Sequence, residues 1–596
     1  MTMPSRTFDV IAVSPGIAVG RVMCIRSHSR RVEPEPRAIT PEEVSSELER
    51  FRSALSLTRV QLNALQDQVR SRLNAGDADI FEAHLMLAED RTLIGAIERS
   101  IKGELIAAEN AIYRAGEHFA EALAAMPDEY LRERAADVRD VVSRIIDNLV
   151  EEPGAAHGCD ARRVIVAQTL TPSETAQLDR RKILGIAVET GSVTSHSAIL
   201  ARSLQLPAVA GIPPELPEQL SADDKVIIDG YAGKLIVNPD ARTVEAYRLK
   251  QEAAGVLRNA LARESALQPE TTDGFLVQLA ANLDSPDLVE EARQAGARGV
   301  GLFRTEYLYS NRDDLPDEEE QFNVYKKMLT ACEDAPVIIR TLDVGGDKFN
   351  TNIYRANENN PFLGLRGVRL CLHERRDIFE TQLRALLRAG VFGNLRVMLP
   401  MVSSVDEVVA VRKLIAELQQ RLASERQEFV SDLNLGVMIE TPAAALLVEK
   451  FAPLVDFFSI GTNDLVQYTM AIDRGNERVA YLYRPSHPAI LALIRRCVQA
   501  ARDQNIWVSI CGQMASDATL TPLLAGLGVH ELSMPPAAIG PVRRVIRSIS
   551  MYEAENAARA ALACSNSFET LAIAQELLTR CAPEIADLQG SRRLDG

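Results

Sequence analysis

The sequence predicts a multidomain α/β protein, in which a small α/β domain with an inserted helical bundle precedes a (β/α)8 barrel of the TIM type. Residues 41–150 are almost free of Gly and Pro and rich in Ala, Leu, Glu and Arg, which is typical of helices. Short apolar runs alternate with helical stretches on both sides of this segment. The same alternation continues from 275 to about 550, which is the size of a barrel.

The first segment, residues 7–26, predicts a strand, a turn and a second strand, because Pro15, Gly16 and Gly20 interrupt its apolar run. From residue 158 onward, the runs RRVIVAQTL, KILGIAVET and KVIIDGYAGKLIVNP predict strands, and SHSAILARSL predicts a helix between them. We expect these two β regions to join in one compact α/β domain, with the helical segment as an insertion into it.

The segment between these β regions predicts a helical bundle. Apolar residues recur there at helical spacing, as in Leu48, Phe51 and Leu55. Thr40 precedes Pro-Glu-Glu and supplies an N-cap followed by acidic first-turn residues. Breaks that contain Gly or Pro divide the segment into a bundle of about four helices. A further helical stretch, within 240–268, predicts a linker between the small domain and the barrel.

Apolar runs in the second half of the chain predict the barrel strands. They are continuous rather than alternating, as expected for parallel strands that are covered on both faces. These runs lie at 275–283, 299–306, 336–343, 395–402, 435–441, 457–464 and 507–512. A weaker candidate for the eighth strand lies at 364–371. In such a barrel, catalytic groups lie at the carboxyl ends of the strands.

The composition excludes several classes of protein. Acidic residues outnumber basic ones 82 to 66, and the resulting net charge of −16 argues against nucleic acid as a partner. An acidic face would instead attract a basic protein. No run of 18 apolar residues occurs, so no transmembrane helix is expected. None of the eight cysteines forms a CxxC pair, which favours reduced thiols in a cytoplasmic protein over a zinc ribbon or a thioredoxin-like motif.

The carboxyl ends of the predicted strands carry a set of charged groups and one thiol. Any one of the arginines alone would fit a surface ion pair, but together they offer planar donors for phosphate and carboxylate oxygens. Glu440 and Asp464 offer hard oxygen ligands for Mg²⁺. The thiol of Cys511 fits either a proton donor or a packed side chain. The full set contains Arg304, Glu306, Arg340, Asp343, Arg366, Glu440, Asn463, Asp464 and Cys511, with Arg474 just beyond.

A second group of candidate residues lies in GSVTSHS, residues 191–197. Thr194 or Ser195 is positioned to cap a helix that begins near His196. An imidazole at a helix N-terminus stays neutral more easily, and a phosphoryl group on its ring would meet free backbone N–H groups. His196 therefore fits a phosphorylated histidine, although an ordinary capping histidine gives the same short pattern.

Longer motifs follow one another along nearly the whole chain, from SPGIAVG at 14–20 to about residue 570. The most specific are LTPSETAQL, TSHSAILARSLQLPAVAG, GVGLFRTEYLY, RTLDVGGDK, NPFLGLRGVR, GVMIETPAA, FFSIGTNDLVQYTMAIDRGN and CGQMASD. With these motifs in this order, the sequence resembles enzyme I of the bacterial phosphoenolpyruvate:sugar phosphotransferase system.

The resemblance implies a division of the chain into functional segments. These are a phosphohistidine α/β domain over 1–36 and 151–239, an inserted HPr-binding bundle over 37–150, a helical linker over 240–268, a phosphoenolpyruvate-binding and dimerisation barrel over 269–580, and a tail over 581–596.

The resemblance also implies a reaction. Phosphoenolpyruvate would phosphorylate His196, and the group would pass to a histidine of the carrier HPr as the first step of sugar uptake in the cytoplasm. Thr175 would bond the other ring nitrogen, with Thr194 as further support. Cys511 would protonate the enolate of pyruvate. Substrate binding would fall to Arg304, Arg340, Arg366, Asn463, Asp464 and Arg474, and Mg²⁺ would bind to Glu440 and Asp464. The barrel would form a homodimer.

Two motifs depart from the family pattern. GSVTSH has Ser192 and Val193 where the family commonly has Gly and Arg, which removes a possible phosphate contact near His196. CGQMASD has Gln513 where an acidic residue is common, which removes a carboxylate that could tune the Cys511 thiol.

Three alternatives compete with this interpretation. A dikinase or phosphoenolpyruvate synthase needs an additional ATP-grasp domain of several hundred residues, for which the chain leaves no space. A regulatory protein of the nitrogen-type phosphotransfer branch usually carries an N-terminal GAF domain, and no segment here precedes the first domain. A scaffold that binds HPr without chemistry would not need the charged groups and the thiol of the predicted barrel.

Overall fold

A computed structural model describes most of the chain. Contacts divide it into two compact units, Met1–Gly255 and Val256–Gly596, and each unit is considered by itself. Within the described ranges, no helix combines the length and apolar character needed to cross a bilayer. The described residues are 5–25, 36–72, 84–124, 129–150, 162–168, 182–189, 201, 206–309, 314–345, 358, 360–474, 476 and 479–589.

The first unit contains an eight-stranded mixed sheet. Its strands are β1 Arg6–Asp9, β2 Ile11–Ser14, β3 Ile17–Ile25, β4 Arg163–Ala167, β5 Ile183–Val188, β6 Ala208–Ala210, β7 Lys225–Asp229 and β8 Lys234–Val237. Their order in the sheet is β1-β8-β7-β3-β4-β5-β6-β2. Neighbours from β3 to β6 run parallel, and the other pairs are antiparallel. Strands from both ends of the unit thus share one sheet, as the sequence predicts.

Apolar side chains cover both faces of this sheet. Val22 and Val164 pack on one face, and Ile165 and Ile186 pack on the other, because successive residues of a strand point to opposite faces. The first segment holds three strands rather than the two that the sequence predicts. β1 pairs with β8 and β2 pairs with β6, at the two ends of the strand order. Because only Val10 separates β1 from β2, the sheet curls until these two edge strands meet.

The described residues between β3 and β4 are mostly helical, as predicted. They are Val44–Arg72, 84–89, Arg91–Arg99, Ala108–Ala124 and Glu129–Val150, with one π-helical turn at Ser100–Glu104. Phe51, Leu62 and Ile112 belong to their common core. His84 is fully buried, with its ring nitrogens 3.3 Å from Asp137 Oδ1 and 3.6 Å from Asp140 Oδ2. Among the described residues of this half of the chain, helices also lie at Leu216–Gln219 and Ala241–Arg263, and the latter contains the boundary between the units.

The second unit is a closed barrel of eight parallel strands, which confirms the predicted fold class. The strands are β9 Gln278–Leu283, β10 Val300–Phe303, β11 Val337–Arg340, β12 Leu395–Leu399, β13 Asn434–Ile439, β14 Phe457–Gly461, β15 Trp507–Cys511 and β16 Glu531–Met534. Each pairs in parallel with the next, and β16 closes the ring on β9.

Helices surround the barrel and cover its outer face. They are Val289–Gln294, Glu318–Cys332, Val368–His373, Arg376–Ala389, Val405–Ser424, Pro442–Leu446, Val448–Phe451, Thr462–Met470, Pro488–Gln504, Gln513–Ser516, Thr521–Leu527, Pro536–Ser548, Met551–Leu562, Ser567–Cys581 and Pro583–Gln589. Outward strand residues such as Val437, Ile460 and Ile510 pack with helix residues in one large core. This burial on both faces explains why the strands are continuous apolar runs.

The predicted eighth strand at 364–371 is wrong. That segment contains a turn at Gly367, which has a φ of 58°, and then enters the helix Val368–His373. The eighth strand is β16, which the sequence analysis did not find. Glu531 and Ser533 of β16 interrupt its apolar pattern because they alternate with outward residues and face the barrel interior.

Candidate functional site

The mouth of the barrel, at the carboxyl ends of its strands, brings together most of the residues that the sequence analysis selected. Arg340 is the last residue of β11, Glu440 follows β13, and Cys511 is the last residue of β15. Asn463 and Asp464 lie in the first turn of Thr462–Met470, the helix that follows β14. Arg366 differs from the prediction, because it lies in the loop between β11 and Val368–His373 rather than at the end of a strand.

Arg366 is the central cation of this mouth. Its side chain is fully buried, and it donates to Asp343 through Nε and Nη2 at 3.0 Å each. Nη2 and Nη1 also donate to the two carboxylate oxygens of Asp464, at 2.9 and 3.3 Å. Burial opposes the charged form, but the two carboxylates outweigh it, so the pKa of Arg366 is raised above its already high value. The guanidinium is therefore held in one orientation and remains charged.

Arg340 forms a second buried ion pair beside the first. Its Nη2 donates to Glu306 Oε1 at 2.7 Å, and its Nη1 lies 3.2 Å from Asp343 Oδ2. The backbone N–H of Asp343 donates to the same Glu306 oxygen at 3.1 Å. Burial disfavours the charge of Arg340, but Glu306 and Asp343 raise its pKa overall. Asp343 thus links the two arginines into one network.

Glu440 lies at the same mouth, fixed by the backbone around it. The N–H of Met401, a residue with a φ of 56°, donates to Glu440 Oε1 at 2.6 Å. Thr441 caps the helix Pro442–Leu446 that follows, which fixes the chain on the other side of the carboxylate. Burial, together with the nearby Asp464 and Asp343 carboxylates, raises the pKa of Glu440. A cation beside Glu440 would therefore stabilise its ionised form.

The surroundings of Glu440 and Asp464 fit a Mg²⁺ ion. A Cβ on Gly461 would lie 2.9 Å from Glu440 Oε2, so the glycine keeps that side of the carboxylate open. Two carboxylates are a typical protein share for Mg²⁺, which takes its other ligands from water and substrate phosphate. Among the described residues, no group of three or more His, Cys, Asp or Glu side chains forms a complete metal cage.

Cys511 lies inside the mouth with its thiol in two hydrogen bonds. The hydroxyl of Ser459 donates to Cys511 Sγ at 3.5 Å, and the thiol donates to the carbonyl of Ile460 at 3.6 Å. The residue is only 2% exposed. Burial raises the pKa of the Cys511 thiol to about 11, although Ser459, Arg340 and Arg304 act in the opposite direction. The thiol is therefore protonated at neutral pH, as a proton donor must be before it acts.

The remaining predicted residues lie at the rim. Arg304 pairs with Asp284 at 3.0 Å, and its side chain is 41% exposed. Arg474 Nη2 lies 4.0 Å from Asp464 Oδ1, so it approaches the network of Arg366 from the outside. Asn463 Oδ1 accepts from the backbone N–H of Gln513 at 2.9 Å. Because these groups are partly exposed, they can exchange their present partners for an anion that enters the mouth.

Two functional neighbours were missed by the sequence analysis. Tyr468, one helical turn after Asp464, accepts from Arg366 Nη1 at 3.2 Å and donates to the carbonyl of Phe362 at 2.5 Å. Ser459 bonds to the Cys511 thiol. A polar residue inside an apolar strand such as FFSIG was the available signal for Ser459, whereas only the fold brings Tyr468 to Arg366.

The second predicted group lies outside the described residues. This applies to Thr175, Thr194 and His196, and also to the departures at Ser192 and Val193. In the sequence, His196 follows β5, which ends at Val188, and Glu189 is the last described residue before it. The arrangement of this histidine relative to its helix stays a prediction.

Chemically, the mouth suits a small anion with more than one charged group. The buried side chains of Arg340 and Arg366 are each held in one orientation, whereas the side chains of Arg304 and Arg474 at the rim are partly exposed. The protonated thiol of Cys511 lies inside the mouth. Fixed cationic donors in a buried setting stabilise developing negative charge without reorganisation. A cation site beside them adds to the same effect.

Comparisons with known proteins agree with this geometry. Three family models match the chain: "PEP-utilising enzyme, N-terminal" at residues 10–134, "PEP-utilising enzyme, mobile domain" at 159–233 and "PEP-utilising enzyme, PEP-binding domain" at 258–551. A phosphoenolpyruvate-protein phosphotransferase of Staphylococcus carnosus is 41% identical over 568 residues, which cover 95% of this chain and 98% of the relative. One of Priestia megaterium is 41% identical over 565 residues, covering 94% and 97%. With such identity over nearly its whole length, the chain belongs to the family of phosphoenolpyruvate-protein phosphotransferases and is an enzyme.

Proposed function

We propose that this enzyme transfers the phosphoryl group of phosphoenolpyruvate to its own His196 and then to a histidine of an HPr-type carrier protein, releasing pyruvate. This would be the first step of phosphotransferase-system sugar uptake in the cytoplasm. The observation that supports it most is the convergence of Arg340, Arg366, Glu440 and Cys511 at one barrel mouth. The arginines of that set can bind a phosphate and a carboxylate, and its thiol can protonate an enolate.

The substrate would bind through its two anionic groups. Arg340 and Arg366 supply fixed donors, while Arg304, Arg474 and Asn463 close over the phosphate and carboxylate from the rim. Each of these donors is a guanidinium or an amide, and such groups hydrogen-bond to the oxygen atoms of an anion. Because the guanidinium groups at the base of the site are already paired and oriented, little reorganisation is needed when the substrate arrives.

Glu440 and Asp464 are the residues that would hold Mg²⁺, together with oxygen atoms of the substrate. When bound, the ion neutralises negative charge on the phosphoryl oxygens. The raised pKa of Glu440 and the open side that Gly461 leaves beside it support this assignment. Without the ion, two neighbouring carboxylates repel each other.

The protein's own residues would carry the proton and phosphoryl movements. A ring nitrogen of His196 attacks phosphorus, so a new N–P bond forms as the ester P–O bond of phosphoenolpyruvate breaks. Thr175 would hold the other ring nitrogen, and Thr194 would support the phosphoryl group. The enolate that leaves takes the proton of the Cys511 thiol at its methylene carbon and becomes pyruvate.

The second transfer needs a partner. We assign carrier binding to the helical insertion over 37–150, and homodimer formation to the barrel segment over 269–580, both on the family resemblance. The phosphohistidine domain, over 1–36 and 151–239, would move between barrel and carrier by means of the linker over 240–268. The names of the relatives do not favour the regulatory nitrogen-type alternative.

The proposal is tested by the intact mass of the protein after mixing with phosphoenolpyruvate and Mg²⁺. We expect an acid-labile gain of one phosphoryl group, which EDTA prevents and which His196→Ala lacks. After removal of phosphoenolpyruvate, a purified HPr protein should take up that mass. No gain in the wild type contradicts the first transfer, and a stable phosphoenzyme in the presence of HPr contradicts the second.

A further inference from the structure

A row of polar side chains lies inside the barrel, below the mouth. Ser459 of β14 is in register with Ser509 of β15, and Ser509 is in register with Glu531 of β16. Parallel neighbours in register lie about 4.8 Å apart. The three residues therefore form a continuous row across three adjacent strands.

All three side chains face the barrel interior. Their neighbours along the strands, such as Ile460, Ile510 and Leu532, belong to the outer core that packs against the helices. Because side chains alternate along a strand, the residues between these outward positions point inward. Cys511, two residues beyond Ser509 on the same face, belongs to the interior cluster.

Ser459, at one end of the row, is hydrogen-bonded to the thiol of Cys511. Ser459 donates its hydroxyl hydrogen to Cys511 Sγ at 3.5 Å. This direction is the one required to return a proton to a thiolate. Cys511 itself is 2% exposed, so solvent has little direct access to its sulfur.

Ser509 and Glu531, the other two residues of the row, have polar atoms without hydrogen-bond partners among the described residues. In the part of the chain that the structure describes, Ser509 Oγ and Glu531 Oε1 are both buried and have no hydrogen-bond partner. Buried polar atoms of this kind are commonly joined by ordered water. Gly301 makes room beside them, since a Cβ there would lie 2.8 Å from Glu531 Oε1.

Glu531 is suited to hold a proton at this depth. The residue is 4% exposed, and burial raises the pKa of its carboxyl to about 7, against a lowering by Arg396 of β12. It is still a stronger acid than the Cys511 thiol, whose pKa burial raises to about 11. A proton therefore moves spontaneously from this carboxyl to a thiolate.

Several side chains at the base of the barrel, near this carboxyl, are partly exposed to solvent. Gln278 of β9, which is in register with Glu531, is only half-buried, as are Arg396 and Trp507 at the starts of β12 and β15. These half-buried side chains lie at the end of the barrel opposite to the mouth, so a proton that enters there does not pass through the proposed substrate site.

We infer that Glu531 is the acid that reprotonates Cys511 after each turnover, through Ser509 and Ser459. The inference rests on the proposed function, in which the Cys511 proton becomes a C–H bond of pyruvate. The thiolate left behind takes the hydroxyl proton of Ser459, and Ser459 takes one from Ser509, with water between them. Ser509 takes the proton of Glu531 in the same way. The Glu531 carboxylate then takes up one proton from the bulk solution, relayed by water at the barrel base, which replaces the proton that left in the C–H bond of pyruvate. Glu531 is a positioning residue that acts through Cys511.

The test separates the first turnover from later ones. With enzyme in excess over phosphoenolpyruvate and no carrier, rapid quenching measures the first pyruvate, whose proton is already on Cys511. With excess phosphoenolpyruvate and purified HPr as acceptor, the same assay measures repeated turnovers. Glu531→Gln should leave the first turnover within about 2-fold of wild type and slow later turnovers by at least ~10-fold, which is less than the ~100-fold or more expected for loss of a group that protonates the substrate directly.

Matched variants exclude a structural explanation. Ser533→Ala removes another inward hydroxyl of β16, which donates to Asn282 at 2.6 Å, and should leave both phases unchanged. Ser509→Ala should slow only the later turnovers, and Glu531→Asp, which keeps a carboxyl, should restore much of the later rate.

Three outcomes overturn the inference while leaving the proposed function intact. These are equal later rates in Glu531→Gln and wild type, a first turnover slowed as much as the later ones, and a Ser533→Ala variant as slow as Glu531→Gln. A wild type that forms no pyruvate even in the first turnover contradicts the proposed function itself.

Discussion

The mouth and the interior of the barrel hold buried polar groups in opposite ways. At the mouth, Arg366 meets the carboxylates of Asp343 and Asp464, so buried charge is balanced by buried charge. Inside, the carboxyl of Glu531 has a raised pKa, and among the described residues its Oε1 has no hydrogen-bond partner. The difference indicates that one barrel keeps fixed, paired charges at the mouth, and in its interior a carboxyl whose protonated form is favoured by burial.

Among the substitutions considered, Arg366→Met should disrupt the buried ion network of the mouth most severely. Replacing it with Met leaves Asp343 and Asp464 buried without their common cation, which costs about 3–5 kcal/mol for such a pair. We expect the barrel to lose that much stability and phosphoenolpyruvate-dependent phosphorylation to fall at least ~1,000-fold, as for loss of a charge-stabilising group. Denaturant unfolding and intact mass measure the two effects.

Arg412→Met is the matched control for Arg366→Met. Arg412 pairs with Asp456 at 3.5 Å on the surface and is 43% exposed, so its loss should change stability by no more than about 0.5 kcal/mol. Equal effects of the two variants would contradict the view that the buried network organises the mouth.

Removing the thiol should have the next largest effect. Cys511→Ala takes away the proposed donor of the enolate proton, and pyruvate formation should slow about 100-fold or more, as for loss of a general acid. Cys497→Ala, in the helix Pro488–Gln504, removes an equally buried thiol outside the mouth and should retain the wild-type rate. Rapid-quench assays of pyruvate compare them, and an unaffected Cys511→Ala would exclude Cys511 as the donor.

The interior acid should make stability depend on pH. The pKa of Glu531 is raised to about 7 from 4.5, so folding favours the protonated carboxyl. Its stabilising contribution is complete below 4.5 and is lost as pH rises through about 7, a change of roughly 3 kcal/mol at 1.36 kcal/mol per pKa unit. Glu531→Gln should therefore lose less barrel stability than wild type over this interval.

Trp507 allows that comparison to be made on the barrel alone. It is the only tryptophan of the chain and stacks on His530 with ring centroids 5.0 Å apart. Its fluorescence during denaturant unfolding at several pH values follows the second unit. Parallel pH profiles for wild type and Glu531→Gln would show that Glu531 is already ionised in the folded protein near neutral pH.

The smallest effect is expected at Gly461. An added Cβ would lie 2.9 Å from Glu440 Oε2 and force that carboxylate to shift. Gly461→Ala should weaken Mg²⁺ activation about 10-fold, as for other changes that misorient a metal ligand. Gly255→Ala has no atom within 4 Å of its Cβ and is the control. An unchanged Mg²⁺ requirement in Gly461→Ala would argue against a cation beside Glu440.

Much of this architecture could be predicted from the sequence because burial on both faces leaves continuous apolar runs for most barrel strands. β16 was missed because Glu531 and Ser533 face inward and break its pattern. Arg366 was selected for its type, but its location followed from an incorrect strand at 364–371. Tyr468 and Ser459 gain their roles only through contacts between distant segments, which local patterns do not record.

Isotope exchange between labelled pyruvate and phosphoenolpyruvate, with this protein and Mg²⁺ alone, is the most direct test of the phosphohistidine. A covalent phosphohistidine lets pyruvate leave and labelled pyruvate return before any carrier is present. We therefore expect label in phosphoenolpyruvate with the wild type, and none with His196→Ala or in the presence of EDTA. Absence of exchange in the wild type, or exchange that appears only when HPr is added, would contradict the account.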